Sequence, residues 1–403
     1  MDEIRLGLRE NWRQFALLVV INGFVGGMVG LERSILPQMA ETDFGVASRT
    51  AILSFITAFG LTKAITNYFT GKLAERVGTK NLLLIGWAMA IPVPLIIIVA
   101  ESWTAVIFAN LLLGISQGLT WTSTIMMKID LVGERNRGLA MGLNEFAGYV
   151  AVGAVALVTG YLAAIYGNRP VPFYLGVGLA AAGFILTLLW VKDTRRHVRK
   201  EEETSRQERS ENIFRATTWK DRTLGSVTQA GLVNNLNDGM MWGMIPILLL
   251  QLEFSSSETG LVAGVYPLIW GVGQLFTGKL ADHAPRKWML VGGMLLQGAA
   301  IVLLAASDGL AEFVVLAVFL GLGTALVYPT FLAVIADSTH PSQRSESLGT
   351  FRLWRDLGYP VGAVLSGVTA DLLGILWSIV LVGCLTVFSA LVILVRMPGS
   401  GER

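Results

Sequence analysis

The segment FTGKLAERVGTK at residues 69–80 has a partial copy, FTGKLADHAPRK, at residues 276–287. The two segments begin 207 residues apart, and the same offset pairs Asp130 with Asp337. A repeat of this length in a chain of 403 residues indicates two homologous halves.

Composition points to a membrane protein. Only 15% of the residues are charged and 53% are hydrophobic, whereas charged residues make up about 25% of a typical soluble protein. In water such a chain would expose large apolar patches, which excludes a soluble enzyme, a disordered protein and a disulfide-rich scaffold. The 31 Lys and Arg residues nearly balance the 29 Asp and Glu residues, so charge indicates no nucleic-acid partner. We therefore expect a multi-pass helical membrane protein.

Apolar runs between polar breaks predict twelve membrane spans, since one spanning helix needs about 20 apolar residues. The predicted spans cover residues 14–37, 48–70, 81–100, 104–127, 138–164, 172–191, 223–250, 258–278, 288–306, 312–336, 347–370 and 375–396. The expected domains are a six-helix bundle at 1–191, a hydrophilic linker at 192–222 and a second six-helix bundle at 223–403.

The positions of Lys and Arg predict the orientation. With the N-terminus inside, cytoplasmic segments hold 25 of the 31, and external loops hold only Arg49 and Arg169. Lys128, after the fourth span, counts as one of the cytoplasmic anchors. We expect a multi-pass protein of the cell membrane with both termini in the cytoplasm. Six spans in each half make the halves parallel, related by a pseudo-two-fold axis along the membrane normal, as in many transporters.

Residues 71–80 resemble the signature loop of the major facilitator superfamily, whose pattern is Gly-x-Leu-Ala-Asp-Arg-x-Gly-Arg-Lys. The degenerate copy at 278–287 lies where that superfamily keeps its second loop. The resemblance covers nearly the whole chain and implies an all-α membrane protein with the major facilitator fold, usually monomeric. It is most similar to the twelve-span drug:proton antiporter-like branch, but no Arg precedes Gln117 and Gly118 in span 4 as it does in many of those antiporters.

Charged residues in and near the two loops are candidates for a gate that holds one face of the protein shut. The candidate gating residues are Gly71, Glu75, Arg76, Gly78, Lys80, Asp130, Asp282, Arg286 and Asp337. We expect Asp130 to pair with Arg76 or Lys80, and Asp337 to pair with Arg286. Glu75 is expected at the positive N-terminal end of span 11. The alternative is that these residues are ordinary positive-inside anchors and their neighbours.

Ionisable residues inside spans are costly, and their default interpretation is functional. The candidate translocation residues are Asn22, Lys63, Trp121, Glu145, Asn234, Asp238, Tyr328, Arg352, Arg355 and Asp356. Arg352 and Asp356 are four residues apart, so they share a helix face and are expected to pair, whereas Arg355 points elsewhere. The superfamily arrangement would bring Lys63 towards Asp356.

Proton coupling requires a buried carboxylate that can load and release a proton. Glu145 and Asp238 are the candidates, and Glu145 is favoured because no basic residue lies within one helical turn of it. The alternative for Glu145 is a permanent ion pair with Lys63 or Arg355.

The sequence thus predicts a secondary active transporter that works by alternating access, with proton-coupled export of small amphipathic molecules as the first hypothesis. The alternatives are uptake or exchange of a small organic anion through Arg352 and Arg355, and a non-transporting receptor. No nucleotide-binding loop occurs and no histidine lies in a span, so we expect neither an enzyme nor a cofactor or metal. The expected partners are a small-molecule substrate, protons and the lipid bilayer.

Overall fold

The computed structural model describes residues 5–33, 35–46, 49–133, 137–202, 210–254 and 256–399, and these ranges contain helices but no strand. The α-helices are Trp12–Arg33 (α1), Leu36–Thr42 (α2), Arg49–Val77 (α3), Thr79–Ala90 (α4), Pro92–Val99 (α5), Trp103–Val132 (α6), Arg137–Tyr166 (α7), Val171–Trp190 (α8), Arg195–Glu202 (α9), Ile213–Arg215 (α10), Arg222–Gln251 (α11), Ser256–Leu280 (α12), Arg286–Leu304 (α13), Leu310–Asp337 (α14), Arg344–Leu373 (α15) and Ile375–Arg396 (α16). A π-helical turn follows α10, and a 3-10 turn precedes α15.

Each of the twelve predicted spans matches one long helix or two consecutive helices. The third span divides into α4 and α5, and Pro92 begins α5, where its missing amide hydrogen is tolerated. Among the described residues, eight helical segments are long and apolar enough to cross a membrane by length and composition. They do not include α3 or α15, whose apolar surface is interrupted by charges such as Lys63 and Arg352.

Several helices are longer than the apolar runs that predicted them. The fourth span was expected to end at residue 127, but α6 continues to Val132. The second span was expected to end at residue 70, but α3 continues to Val77. A helix satisfies its own backbone hydrogen bonds, so it can extend past the apolar segment into polar surroundings. Hydropathy therefore marks the apolar part of a helix and not its end.

The helices form two compact units. Unit 1 consists of Met1–Arg135 and Asn144–Arg206, and unit 2 consists of Asn136–Leu143 and Gln207–Arg403. In unit 1, α3 and α4 both pack against α6, and in unit 2, α12 and α13 both pack against α14. The repeat offset makes these helices equivalent, so the packing repeats as the sequence does.

Glycines allow close helix contacts within unit 1. A carbon at the Cβ position of Gly26 would overlap the carbonyl oxygen of Gly148, and one at Gly30 would overlap that of Val152. Here α1 and α7 touch through their backbones, as small residues permit in membrane helix pairs.

We expect Gly26→Ala to destabilise the protein by about 1–3 kcal/mol, because the added methyl group meets a backbone oxygen that cannot rotate away. The matched control is Gly153→Ala in α7, where an added Cβ meets nothing within 4 Å. The melting temperature of the detergent-solubilised protein measures both effects. Equal melting temperatures for the two variants would contradict the close contact.

Candidate functional site

In unit 1, a buried carboxylate is held between two helices. Glu145 of α7 is fully buried, and its Oε1 accepts hydrogen bonds from Trp121 Nε1 of α6 at 3.1 Å and from Asn144 Nδ2 at 2.6 Å. Trp121 and Glu145, both predicted site residues, are therefore in direct contact. Two donors on one carboxylate oxygen fix its position against the ring of Trp121.

A buried lysine completes this arrangement. Lys128 of α6 has an exposed fraction of 0%, its Nζ donates to Asn144 Oδ1 at 2.5 Å, and it attracts Glu145 electrostatically. Lys128 was expected in a cytoplasmic segment after the fourth span; it lies inside α6, which continues past the predicted end of that span, and is buried against Asn144 of α7. Because Lys128 and Glu145 lie on different helices, spacing along α7 does not reveal Lys128 as a basic neighbour of Glu145. The helical spacing of Trp121 and Lys128, seven residues apart, could have indicated a shared face.

Asn22 ties α1 to the same group. Its Nδ2 donates to the carbonyl oxygen of Asn144 at 2.7 Å, and its Oδ1 accepts from Thr124 Oγ1 at 2.9 Å. Asn22 is fully buried, and both polar atoms of its amide are hydrogen-bonded, as buried polar groups generally are. Asn22, a predicted translocation residue, therefore connects α1 to α6 and α7.

Aromatic rings surround the ammonium group of Lys63 in α3. Lys63 Nζ lies 5.5 Å from the centroid of Phe59 and 5.5 Å from that of Trp121. Both distances fall within the range of cation–π attraction. The ring of Tyr149 meets Trp121 edge to face at 5.5 Å. We call the group of Asn22, Phe59, Lys63, Trp121, Lys128, Asn144, Glu145 and Tyr149 the Trp121 cluster.

In unit 2, a second carboxylate is held by a tyrosine. Asp238 of α11 is fully buried, and its Oδ1 accepts a short hydrogen bond from the hydroxyl of Tyr266 in α12. That hydroxyl also lies 3.4 Å from Thr324 Oγ1 of α14. Asn234, one turn before Asp238, is fully buried, and its amide group has no hydrogen-bond partner among the described residues. Asn234 is therefore available to bind a polar group of a ligand.

The arginines of α15 share one carboxylate. Arg352 Nη2 lies 3.7 Å from Asp356 Oδ2, which confirms the predicted pair, and Arg352 Nη1 donates to the hydroxyl of Tyr328 at 3.0 Å. The expectation that Arg355 points elsewhere was wrong, because its Nη1 lies 2.8 Å from Asp356 Oδ1. Its guanidinium Cζ is 4.1 Å from the centroid of Tyr328, and stacking on this ring turns the side chain towards Asp356.

Trp270 of α12 contacts both Tyr266, which binds Asp238, and Tyr328, which binds Arg352. Trp270 was not among the site residues predicted from the sequence. Its ring stacks on Tyr266 with centroids 5.8 Å apart and meets Tyr328 edge to face at 6.1 Å. We call the group of Asn234, Asp238, Tyr266, Trp270, Thr324, Tyr328, Arg352, Arg355 and Asp356 the Tyr328 cluster.

The two clusters use equivalent positions of the repeat. The offset of 207 residues relates Phe59, Lys63 and Trp121 to Tyr266, Trp270 and Tyr328, respectively. The same offset relates Glu145 to Arg352. Trp121 hydrogen-bonds to Glu145 in unit 1, and Tyr328 hydrogen-bonds to Arg352 in unit 2. The same position of the repeat therefore holds a carboxylate in unit 1 and a guanidinium group in unit 2. Comparing the repeats residue by residue would have pointed to Tyr266 and Trp270.

The predicted gate residues of unit 2 form a charged cluster. Asp337 accepts from Arg286, which confirms the predicted pair, and also from Arg137 Nη1 at 2.6 Å. Asp282 accepts from the backbone N–H groups of Gly138 at 2.7 Å and Leu139 at 3.0 Å. It therefore caps the first turn of α7, where the helix dipole favours a carboxylate. The sequence predicted such a role for Glu75, which is the repeat equivalent of Asp282.

The predicted gate residues of unit 1 lie beside the start of the linker. Asp130 Oδ2 accepts from Thr194 Oγ1 at 2.6 Å, and the same hydroxyl lies 3.3 Å from Thr79 Oγ1. Lys80 Nζ donates to the carbonyl oxygen of Leu188 at 3.1 Å. Gly78 has a φ of 89°, a conformation that favours glycine, at the turn between α3 and α4.

The other residues of the first loop differ in exposure. Gly71 is buried near the end of α3, whereas Glu75 and Arg76 are exposed. The linker begins as α9, which packs against α6. Burial there lowers the pKa of His197, because desolvation disfavours the charged imidazole.

Comparisons with known proteins agree with this architecture. Residues 13–226 and 227–403 both match the sequence model of the Major Facilitator Superfamily. The chain is 24% identical over 376 residues to the proton-coupled antiporter flippase LtaA of Staphylococcus saprophyticus, covering 90% of this chain and 88% of the relative. It is 24% identical over 377 residues to the multidrug resistance protein MdtG of Proteus mirabilis, covering 90% of each. The crystal structure of the human organic anion transporter MFSD10 matches with a TM-score of 0.77 at 16% identity, covering 94% of this chain and 99% of that one, which confirms the predicted fold.

We expect Asp282→Ala to lower the stability of the protein by about 1 kcal/mol, because two backbone N–H groups at the start of α7 lose their acceptor. Asp282→Asn should lose less, since the amide oxygen still accepts a hydrogen bond. The control is Asp308→Ala, which changes an exposed aspartate. Thermal unfolding in detergent ranks the three variants, and equal stability of the Asp282→Ala and Asp308→Ala proteins would refute the cap.

Proposed function

The chain belongs to the Major Facilitator Superfamily, and we propose that it exports small amphipathic molecules in exchange for protons. Its membership makes it a multi-pass membrane protein and a secondary transporter of small molecules, and not an enzyme. Direction, proton coupling and the chemistry of the substrate are our proposal.

The observation that carries the proposal is the environment of Glu145. A carboxylate with no exposed surface accepts hydrogen bonds from Trp121 and Asn144 and is attracted by Lys128. When Glu145 binds a proton, Lys128 loses the attraction of its counter-ion, and both hydrogen bonds into the carboxylate weaken. Because Asn144 also binds Lys128 and Asn22, one proton alters contacts among α1, α6 and α7. A proton site that is linked to helix contacts is what coupling requires.

The rings of the two clusters support an amphipathic substrate. Phe59, Trp121 and Tyr149 contribute aromatic rings to the cluster of unit 1, and Trp270 and Tyr328 do so in unit 2. Binding sites for varied apolar molecules are lined by such side chains, with a few polar groups that fix orientation. The names of two relatives, a proton-coupled antiporter flippase and a multidrug resistance protein, support the same class of transport.

The charged residues near the first loop and its copy are proposed to gate the pathway by alternating access. Asp337 holds two arginines, Arg137 and Arg286, and Asp282 caps α7. Contacts at a partly exposed carboxylate are easily exchanged for contacts with water, so such a cluster can close and reopen. We further propose that the transporter acts as a monomer in the cell membrane, with both termini in the cytoplasm.

A second candidate function is transport of a small organic anion. It is favoured by the arrangement in α15, where Arg352 and Arg355 share the single carboxylate of Asp356. Two guanidinium groups lie beside one another at this carboxylate, and guanidinium groups bind carboxylates through paired hydrogen bonds.

We expect Glu145→Gln to abolish proton movement triggered by substrate, because glutamine cannot take up the proton. The assay uses proteoliposomes containing a pH-sensitive dye and a panel of cationic, neutral and anionic compounds. The control, Glu101→Gln, changes an exposed glutamate outside the helices and should retain the flux. Proton flux in the Glu145→Gln protein equal to that of the control would refute coupling through this residue.

The anion hypothesis predicts that Arg352→Gln abolishes transport of every anionic compound in the panel while cationic compounds still move. The proposed export of amphipathic compounds predicts no anion transport by the wild-type protein. Arg195→Gln, at an exposed arginine, is the matched control for loss of one positive charge. Anion transport that is present in the control and absent in the Arg352→Gln protein would replace our first proposal with the second.

A further inference from the structure

We infer that the ammonium group of Lys63 occupies a cation-binding subsite of the Trp121 cluster, and that a cationic substrate must displace it. This inference rests on the proposed function, because it concerns the substrate of the same transporter. It assigns Lys63 a role in specificity, as a tethered competitor for the substrate.

The side chains around Lys63 form a site suited to a cation. Its ammonium nitrogen lies 5.5 Å from the centroids of both Phe59 and Trp121. Tyr149 packs against Trp121, and the indole N–H of Trp121 is bonded to the carboxylate of Glu145. Aromatic faces beside a carboxylate form the combination that binds organic cations. A lysine from the protein itself takes the position that a ligand cation would need.

The equivalent position of unit 2 holds an aromatic ring in place of the lysine. In unit 2 the position equivalent to Lys63 is Trp270, which stacks on Tyr266 and meets Tyr328 edge to face. There a third ring fills the space between the two others, and Trp270 has an exposed fraction of only 2%. In unit 1 the same position holds the ammonium group of Lys63, whose flexible side chain is partly exposed. A lysine has a flexible four-carbon chain that allows its ammonium group to move, whereas a tryptophan between two rings has no such freedom.

The ring of Trp121 is held in place by its contacts with α7. A Cβ atom added at Gly148 would lie 2.7 Å from the indole ring, so glycine is required for the ring to pack against α7. The indole is also anchored by its bond to Glu145. Because the indole is anchored and the ammonium group of Lys63 is carried on a flexible four-carbon chain, an incoming cation would exchange with the lysine and leave the aromatic surface in place.

The consequence for specificity depends on the sign of the substrate charge. A cation competes with the Lys63 ammonium for the same rings, so the lysine weakens its binding. An anion would be attracted by the lysine, so the lysine would strengthen its binding. Removing the charge of Lys63 therefore changes affinity in opposite directions for the two classes of ligand.

The test measures equilibrium binding of tetraphenylphosphonium and tetraphenylborate, which have similar shapes and opposite charges, to the full chain in nanodiscs at one fixed pH. We expect Lys63→Met to tighten binding of the phosphonium by roughly tenfold and Lys63→Arg to leave it within about twofold. The control is Lys72→Met, since Lys72 lies on the same helix 5.7 Å from the ring of Tyr68 but is exposed. Empty nanodiscs correct for partition into lipid.

Unchanged or weaker phosphonium binding by the Lys63→Met protein would overturn the inference, and a simultaneous loss of borate binding would make Lys63 an anion-binding group. Phe59→Leu provides a second variant, because it removes one ring and should weaken phosphonium binding whether or not the lysine variant folds well. Binding without a pH gradient does not depend on proton coupling. Tighter phosphonium binding by the Lys63→Met protein, together with proton flux retained by the Glu145→Gln protein, would therefore support the subsite and refute only the proposed coupling residue.

Discussion

A charge that is buried among apolar helices must be neutralised or hydrogen-bonded by a neighbouring helix, because no water is present to do so. This constraint explains the arrangement of both clusters. Lys128 reaches Asn144 and Glu145 across the contact between α6 and α7, and Asp238 reaches Tyr266 across the contact between α11 and α12. The same side chains that satisfy the charges also hold the helices in register. Any change of charge at these positions is therefore a change in helix contacts.

The internal repeat places equivalent helix positions in the two units, and different residues at those positions give the two units different polar groups. Trp121 and Tyr328 occupy equivalent positions, and each hydrogen-bonds to the equivalent residue of the following helix, Glu145 in unit 1 and Arg352 in unit 2. In both units this position of the repeat places one polar group beside an aromatic ring. The equivalent position therefore carries opposite charges in the two halves.

Features that depend on spacing along one helix, or on the repeat, were predictable from the sequence. These include the helices at the positions of the twelve predicted spans, the pairing of Arg352 with Asp356 and the pairing of Asp337 with Arg286. Features that depend on which face of a helix meets its neighbour were not. The burial of Lys128 inside α6 was not predicted, because hydropathy marks the apolar part of α6 and not its end. Trp270 was overlooked because an aromatic residue in an apolar span carries no signal of its own, and only its equivalence to Lys63 reveals it.

The charges of the Trp121 cluster explain how export of a cation could be driven by protons. The cluster holds the ammonium group of Lys63, the buried amino group of Lys128 and the carboxylate of Glu145. With Glu145 ionised, a cationic substrate that displaces Lys63 finds a carboxylate one ring away. With Glu145 protonated, that attraction is absent. Proton and cation therefore oppose each other electrostatically at one site. Under the proposed function, this negative coupling between the two ligands favours the exchange of one for the other.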